Sequence, residues 1–187
     1  ASSDVYKRQA FETAANAFET SIDPDELSRI GRAMGILARK TGVYGMIGGQ
    51  TVDVELAGGP IPGDKLEFIY RLKTGALIEA SMLIGAVLGG AAEEDCKIVE
   101  SLAAKIGMAF QIQDDILDVV GDEATLGKPI GSDVRSDKTT FVALKGLADC
   151  RILVAELTDR AVEALAPFGS EAESLRGLAQ SLAGREK

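Results

Sequence analysis

Apolar residues recur at helical spacing along almost the whole chain, and the alternation typical of β-strands is scarce. The interruptions fall at glycine or proline, the residues that end helices. We therefore predict an all-α protein. The expected helices cover about residues 10–18, 25–40, 43–56, 65–88, 93–120, 141–165 and 170–182.

A chain of 187 residues is long enough to bury one core, and it shows neither an internal repeat nor a linker. We therefore expect one domain, covering residues 10–187. Residues 1–9 (ASSDVYKRQ) are polar and differ in character from the rest of the chain. We expect these nine residues to be a non-native or frayed extension.

Composition excludes several classes of function. Histidine is absent, which removes the commonest general base, the commonest nitrogen ligand of metals and the Ser/His/Asp triad. A net charge of -9 would repel a phosphate backbone, so nucleic-acid binding is disfavoured. Any chemistry must therefore use carboxylates, lysines, amides or hydroxyls.

Cysteine usage and hydropathy favour a cytoplasmic protein. Cys96 and Cys150 lie far apart and form no CxxC pair, so we expect reduced thiols rather than a zinc or redox site. The longest uncharged apolar stretch, residues 80–92, is shorter than the roughly 20 residues that cross a bilayer. We accordingly expect no membrane span.

The most informative motif is FQIQDDILD, residues 110–118, near the end of a long apolar helix. Asp114, Asp115 and Asp118 share one side of that helix, and Gln111 lies one turn earlier. Two such carboxylates about 6 Å apart repel by roughly 3 kcal/mol at an effective dielectric of about 20, so a cation should offset them. Oxygen ligands without histidine suit Mg²⁺. A solvated acidic helix face is an equally simple interpretation.

A long loop follows the acidic motif, over residues 122–138. Lys128 and Lys138 in this loop could fold back over the acidic helix end and bind an anionic substrate. The alternative is a surface loop with scattered charges.

Two further motifs carry polar residues inside apolar helices. Lys73-Thr74-Gly75 lies midway along a predicted helix, where glycine costs about 1 kcal/mol. The alternative is a snorkelling lysine, with glycine easing a close helix crossing. Gln50 and Asp53 place an amide and a carboxylate on adjacent turns, and they could equally be ordinary polar helix residues.

Together these motifs resemble the trans-type polyprenyl diphosphate synthases, the short-chain group that includes farnesyl and geranylgeranyl diphosphate synthases. The resemblance covers the chain from about residue 10 to the end. It rests on four segments in the order and at the separations of that family: MIGGQTVDVE, YRLKTGALIEAS, GMAFQIQDDILDVVGDEATLGKPIGSD and DKTTF. It implies an isoprenoid-synthase helical bundle, here lacking its N-terminal helices, and commonly a homodimer.

The resemblance also implies a reaction: isopentenyl diphosphate is joined to an allylic diphosphate, dimethylallyl or geranyl, to give a short-chain trans-prenyl diphosphate. Farnesyl diphosphate is the expected product. The implied Mg²⁺ ligands are Asp114, Asp115 and Asp118. The implied catalytic residues are Lys73, Thr74, Gln111, Asp114 and Lys128. The implied substrate-binding residues are Lys73, Thr74, Gln111, Lys128 and Lys138, with Gln50 and Asp53 supporting the cavity wall.

One part of the family pattern is missing. The first aspartate-rich motif belongs upstream, and nothing like it occurs before Gln50. We therefore expect a truncated chain that is inactive or nearly so alone, whose full-length parent is a prenyltransferase. Two alternatives remain open: a non-catalytic regulatory subunit that dimerises with a complete synthase, and a related Mg²⁺-dependent terpene cyclase or diphosphate lyase.

Overall fold

The structure is a computed structural model that describes residues 2–120 and 139–185, with side chains from residue 8 onward. The described residues form helices and connecting turns, and none of them belongs to a strand, as predicted. The α-helices are α1 (Ser2–Thr20), α2 (Pro24–Thr41), α3 (Met46–Glu55), α4 (Gly63–Tyr70), α5 (Ala76–Leu88), α6 (Glu93–Val120), α7 (Phe141–Lys145), α8 (Leu147–Glu163) and α9 (Glu173–Ala183). A π-helical turn, Arg71–Gly75, joins α4 to α5, and a 3₁₀ segment, Ala166–Ala172, precedes α9.

Local chemistry explains where α2 begins and ends. The Asp23 carboxylate accepts a hydrogen bond from the Asp25 backbone N–H at 2.9 Å, which caps the helix, and Pro24 supplies a first residue with a fixed φ. Gly42 ends the helix, and its N–H donates to the Ala38 carbonyl. These ends agree with the predicted ones to within a residue or two.

Three predicted helices differ from the observed ones. The helix expected over residues 65–88 begins at Gly63 and is interrupted by the π-helical turn. The helix expected over residues 141–165 is divided at Gly146, whose φ of +85° lies in the left-handed region. Helix α1 begins at Ser2, so it includes most of the nine residues expected to be an extension.

Helix α6 is the centre of the fold, and α5 and α8 pack along its sides. Its 28 residues contribute to all three core clusters. The third cluster lies between α2, α5 and the start of α6, around Ile36, Leu83 and Cys96. Among the described helices, none has both the length and the apolar character needed to cross a bilayer.

Candidate active site

Two glycines bring α3 and α6 onto the π-helical turn. A Cβ atom at Gly49 of α3 would lie 2.5 Å from the Lys73 backbone nitrogen, which is closer than real Cβ atoms approach. A Cβ at Gly107 of α6 would lie 2.9 Å from the Cα of Gly75. Both helices therefore pack directly on the backbone of the turn that carries Lys73 and Thr74. Single π-helical turns within helices occur frequently at functional sites.

The Lys73 side chain is held by Asp53. Its Nζ lies 2.6 Å from Asp53 Oδ2, and the two side chains are 37% and 21% exposed. Asp53 is one turn after Gly49, so the face of α3 that meets the π-helical turn also carries this carboxylate. Gly75 does lie at a close helix crossing, as the snorkelling-lysine alternative expected. Lys73, however, is ion-paired with Asp53 rather than simply extended into solvent. Gln50 is exposed, in a groove with Ile47 and Val54.

One face of α6 carries most of the predicted polar residues. Gly107, Gln111, Asp114 and Asp118 are spaced four, three and four residues apart, which places them in a row. Because Gly107 contacts the π-helical turn, Gln111 and Asp114 lie one and two turns beyond that contact. Gln111 is half-buried, Asp114 is 45% exposed at its side chain, and Asp118 is buried.

Asp115 points to a different part of the structure. It is 3% exposed, and its oxygens accept hydrogen bonds from the Tyr70 hydroxyl, at 2.7 and 2.9 Å, and from the Phe141 backbone N–H at 2.9 Å. The carboxylate therefore ties α6 to α4 and to the start of α7. Burial raises the pKa of the Cys150 thiol, and the charge of Asp115 adds to that increase.

Asp114 is the most exposed of the three acidic side chains of this motif. Among the described residues no group of three or more His, Cys, Asp or Glu side chains could hold a metal. Mg²⁺ needs only one or two protein carboxylates, however, and completes its shell with water and phosphate oxygens. The Asp114 carboxylate already binds a cation, the guanidinium of Arg185, at 3.1 Å. Carboxylate oxygens suit Mg²⁺, and metal binding by Asp114, Asp115 and Asp118 stays a prediction.

An apolar cavity of about 360 Å³ lies beside Thr74. Residues of α5, α6 and α9 form its walls, and the apolar side chains greatly outnumber the hydroxyls. The lining residues include Thr74, Ile78, Met82, Phe110, Leu178 and Leu182. The lining suits a hydrocarbon chain, with a hydroxyl where the chain would begin.

Two predicted lysines, Lys128 and Lys138, lie outside the described residues, in the segment 121–138. The chain is described again from Thr139, whose Oγ1 accepts a hydrogen bond from the Ile61 backbone N–H at 3.1 Å. Diphosphate binding by Lys128 and Lys138 therefore stays a prediction.

Sequence reasoning missed Tyr70, Arg185 and the packing roles of Gly49 and Gly107. A usable signal existed for the glycines, because each stands four residues before a polar site residue on the same helix face. No such signal exists for Arg185, which meets Asp114 across 71 residues of sequence.

Comparison with known proteins identifies the family. The family model described as polyprenyl synthetase matches residues 2–165. The chain belongs to the polyprenyl synthetase family. This family member is 39% identical over 189 residues to the farnesyl diphosphate synthase of Escherichia coli strain K12, an alignment that covers 98% of this chain and 62% of that protein. The resemblance predicted from the four motifs is thus confirmed.

Solved structures resemble this polyprenyl synthetase family member over the same extent. A geranyltransferase from Helicobacter pylori complexed with magnesium and isoprenyl diphosphate superposes with a TM-score of 0.77 at 30% identity, covering 96% of this chain and 57% of that one. Geranylgeranyl pyrophosphate synthetase from Pyrococcus horikoshii gives a TM-score of 0.80 at 27% identity, covering 96% and 64%. The chain therefore spans about three-fifths of the length of these relatives.

Proposed function

We propose that this chain is the part of a short-chain trans-prenyl diphosphate synthase that binds and ionises the allylic diphosphate. The observation that carries the proposal is the meeting of three elements at the π-helical turn. Lys73 and Thr74 lie between Asp53 of α3 and the Gln111–Asp114 face of α6, beside an apolar cavity. Relatives named farnesyl diphosphate synthase support this proposal, as does the magnesium and isoprenyl diphosphate complex of the Helicobacter geranyltransferase.

The residues divide the work of ionisation between a charged side and an apolar side. Lys73 donates hydrogen bonds to the departing diphosphate, and Asp53 holds its ammonium group in place until the substrate arrives. Asp114 would hold Mg²⁺, which supplies Lewis-acid neutralisation of the diphosphate when bound. The negative charge on the departing diphosphate is then neutralised without a proton from a protein acid.

The apolar side protects the allylic cation. The side-chain oxygens of Thr74 and Gln111 turn their dipoles toward the positive charge, and the apolar walls of the cavity hold the hydrocarbon chain while the alkene of isopentenyl diphosphate attacks. The last step loses a proton from carbon, and the released diphosphate can accept it. This explains how a chain without histidine could serve such a reaction.

The finer assignments belong to the same proposal. We propose isopentenyl diphosphate and dimethylallyl or geranyl diphosphate as substrates, farnesyl diphosphate as product, Mg²⁺ as cofactor, a homodimer as the assembly and the cytoplasm as the location. Exposed apolar side chains at Tyr44, Ile47 and Val54 support the homodimer. The regulatory-subunit and terpene-cyclase alternatives have no specific observation in their favour among the described residues.

Calorimetric binding of a non-ionisable geranyl thiodiphosphate in the presence of Mg²⁺ tests the proposal. Lys73→Gln and Asp114→Asn should each weaken binding about tenfold or more, because each removes one partner of the diphosphate. Lys65→Gln is the matched control, since Lys65 is exposed at the start of α4. Equal binding by all three variants and the wild type would refute the proposed site.

Turnover gives an independent check on the expectation that these 187 residues are inactive or nearly so alone. With radiolabelled isopentenyl diphosphate, we expect the 187-residue chain to stay well below about 1 turnover per second, an ordinary rate for enzymes. Turnover at that rate would contradict the need for an upstream aspartate-rich motif.

A further inference from the structure

We propose that Arg185 is an internal competitor of the divalent cation: it occupies Asp114 before the site is loaded, and a cation bound at Asp114 releases it. The proposal rests on the proposed function, because it requires Asp114 to accept a metal ion. It assigns a role to a residue that follows the last helix and that the proposed chemistry does not use.

Arg185 is docked on a single turn of α6. Its Nη2 donates hydrogen bonds to Asp114 Oδ1 and to the Phe110 carbonyl oxygen, both at 3.1 Å. The guanidinium carbon lies 3.8 Å from the centroid of the Phe110 ring, a cation–π contact. The Gln113 side chain donates to the Arg185 carbonyl oxygen at 2.9 Å, which fixes the backbone as well. Four contacts thus hold one arginine against residues 110–114.

The docked Arg185 contacts Asp114 but leaves its carboxylate partly exposed to solvent. The Arg185 side chain is 21% exposed, whereas the Asp114 side chain is 45% exposed, so an ion can reach the carboxylate from solvent. A Mg²⁺ ion bound at about 2.1 Å from the carboxylate would lie within a few ångströms of the guanidinium. The guanidinium cannot relieve that repulsion by losing a proton, since arginine stays charged at all accessible pH values. Simultaneous binding is therefore disfavoured.

Docking also has a cost that makes release feasible. The Nε–H of Arg185 is buried, and no described residue accepts a hydrogen bond from it. A buried donor without an acceptor loses its bond to water, which offsets part of the gain from Asp114 and Phe110. The release would also affect the cavity, because Leu182 of its wall lies only three residues before Arg185.

The affinity of the chain for Mg²⁺ alone, measured by calorimetry, tests the competition. If Arg185 is docked in roughly four of five molecules, Arg185→Gln should bind Mg²⁺ about fivefold more tightly, because apparent affinity scales with the competent fraction. Arg160→Gln is the matched control: it removes one positive charge from an exposed position of α8, and its side chain has no hydrogen bond or ion pair to another described residue. Its affinity should stay within about twofold of wild type, as expected for a screened surface charge.

A nuclear magnetic resonance signal reports the release directly. The Arg185 Nε–H, lying near the Phe110 ring, should be shifted upfield from the other arginine signals, and Arg185→Lys identifies it by removing it. Added Mg²⁺ should move this signal toward the exposed arginines, and Asp114→Asn should do so without any metal.

The outcomes separate the inference from the function on which it rests. If Asp114→Asn weakens Mg²⁺ binding but Arg185→Gln binds no more tightly than Arg160→Gln, the competition is refuted and the metal site survives. An Arg185 signal that stays in place at saturating Mg²⁺ refutes it equally. If Asp114→Asn binds Mg²⁺ as well as wild type, the metal assignment fails, and the inference fails with it.

Discussion

Asp114 and Asp115 are neighbours in sequence, yet they differ in burial and in their hydrogen-bond partners. Asp114 is half-exposed beside a guanidinium, whereas Asp115 is buried and accepts hydrogen bonds from the Tyr70 hydroxyl and the Phe141 backbone. A helix turns by about 100° per residue, so adjacent side chains must face different neighbours. Their substitutions should therefore have different effects.

Asp115→Asn should destabilise the metal-free chain by about 1–3 kcal/mol, because it replaces the charged acceptor of the Tyr70 and Phe141 hydrogen bonds with a neutral one and leaves a buried amide N–H₂ in place of an oxygen. Asp114→Asn should cost less than about 1 kcal/mol, since it breaks a partly exposed ion pair. Urea unfolding followed by far-ultraviolet circular dichroism measures both. An Asp115→Asn variant as stable as Asp114→Asn would refute the structural role of Asp115.

Lys40 is a second residue whose charge the fold uses. Its Nζ is ion-paired with Glu79 of α5 and, at 2.9 Å, with Glu100 of α6, and the Lys40 and Glu79 side chains are only 19% and 10% exposed. Lys40→Met should lower the free energy of unfolding by about 2 kcal/mol, because it leaves Glu79 charged and nearly buried. Lys97→Met, at an exposed position of α6, is the control and should change little.

The contribution of Lys40 should depend on pH. Burial lowers the pKa of Lys40, but hydrogen bonds and Coulomb attraction from Glu79 and Glu100 raise it by more, so it lies above 10.5 in the folded chain. A raised pKa stabilises the fold fully below the unfolded value and loses that effect as pH rises through the folded value. The stability difference between wild type and Lys40→Met should therefore be constant at neutral pH and shrink above about pH 10.5. A difference that grows in that range would contradict the assignment.

At the scale of elements, the π-helical turn depends on the two helices packed on it. Gly49→Ala and Gly107→Ala should each cost about 1–3 kcal/mol, since the new methyl group would meet backbone atoms that cannot easily move. Gly177→Ala is the matched control, because a Cβ there would meet nothing within 4 Å in α9. It should raise stability by about 0.4–1 kcal/mol. Urea midpoints measure all three, and a neutral Gly49→Ala would show that α3 can move away from the turn.

The sequence predicted most elements and fewer of the contacts between them. Helix ends at Pro24, Gly42 and Gly89 follow from backbone chemistry that acts within a few residues, so they could be predicted. The π-helical turn and the break at Gly146 depend on how neighbouring helices pack, which local periodicity does not encode. The sequence predicted Asp114, Asp115 and Asp118 on one side of α6, whereas in the structure Asp115 meets Tyr70 and Asp114 meets Arg185, contacts that only the tertiary structure shows.

At the scale of the whole molecule, apolar surface remains beside the site. Val43, Tyr44, Ile47 and Val54 are 68%, 83%, 48% and 64% exposed, and they lie along α3 and the turn before it. Contiguous exposed apolar residues of this kind commonly mark interaction surfaces. We assign this surface to the proposed homodimer.

The double variant Ile47→Glu/Val54→Glu should shift the chain from dimer to monomer in sedimentation velocity at micromolar concentration, because it places charge in an apolar interface. Ile152→Glu is the control, since Ile152 is 58% exposed on α8, away from that surface. A wild-type chain that sediments as a monomer would contradict the homodimer.

The π-helical turn also determines which side of α5, the helix after it, faces the rest of the protein. Compared with a regular α-helix, a π-helical turn holds one additional residue, equivalent to about 100° of rotation. Removing one residue from Arg71–Gly75 would therefore turn α5 about its own axis and carry Ile78 and Met82 away from the hydrocarbon cavity. The length of this short segment thus determines which residues of α5 line the cavity, although the deletion would change no residue of α5 itself.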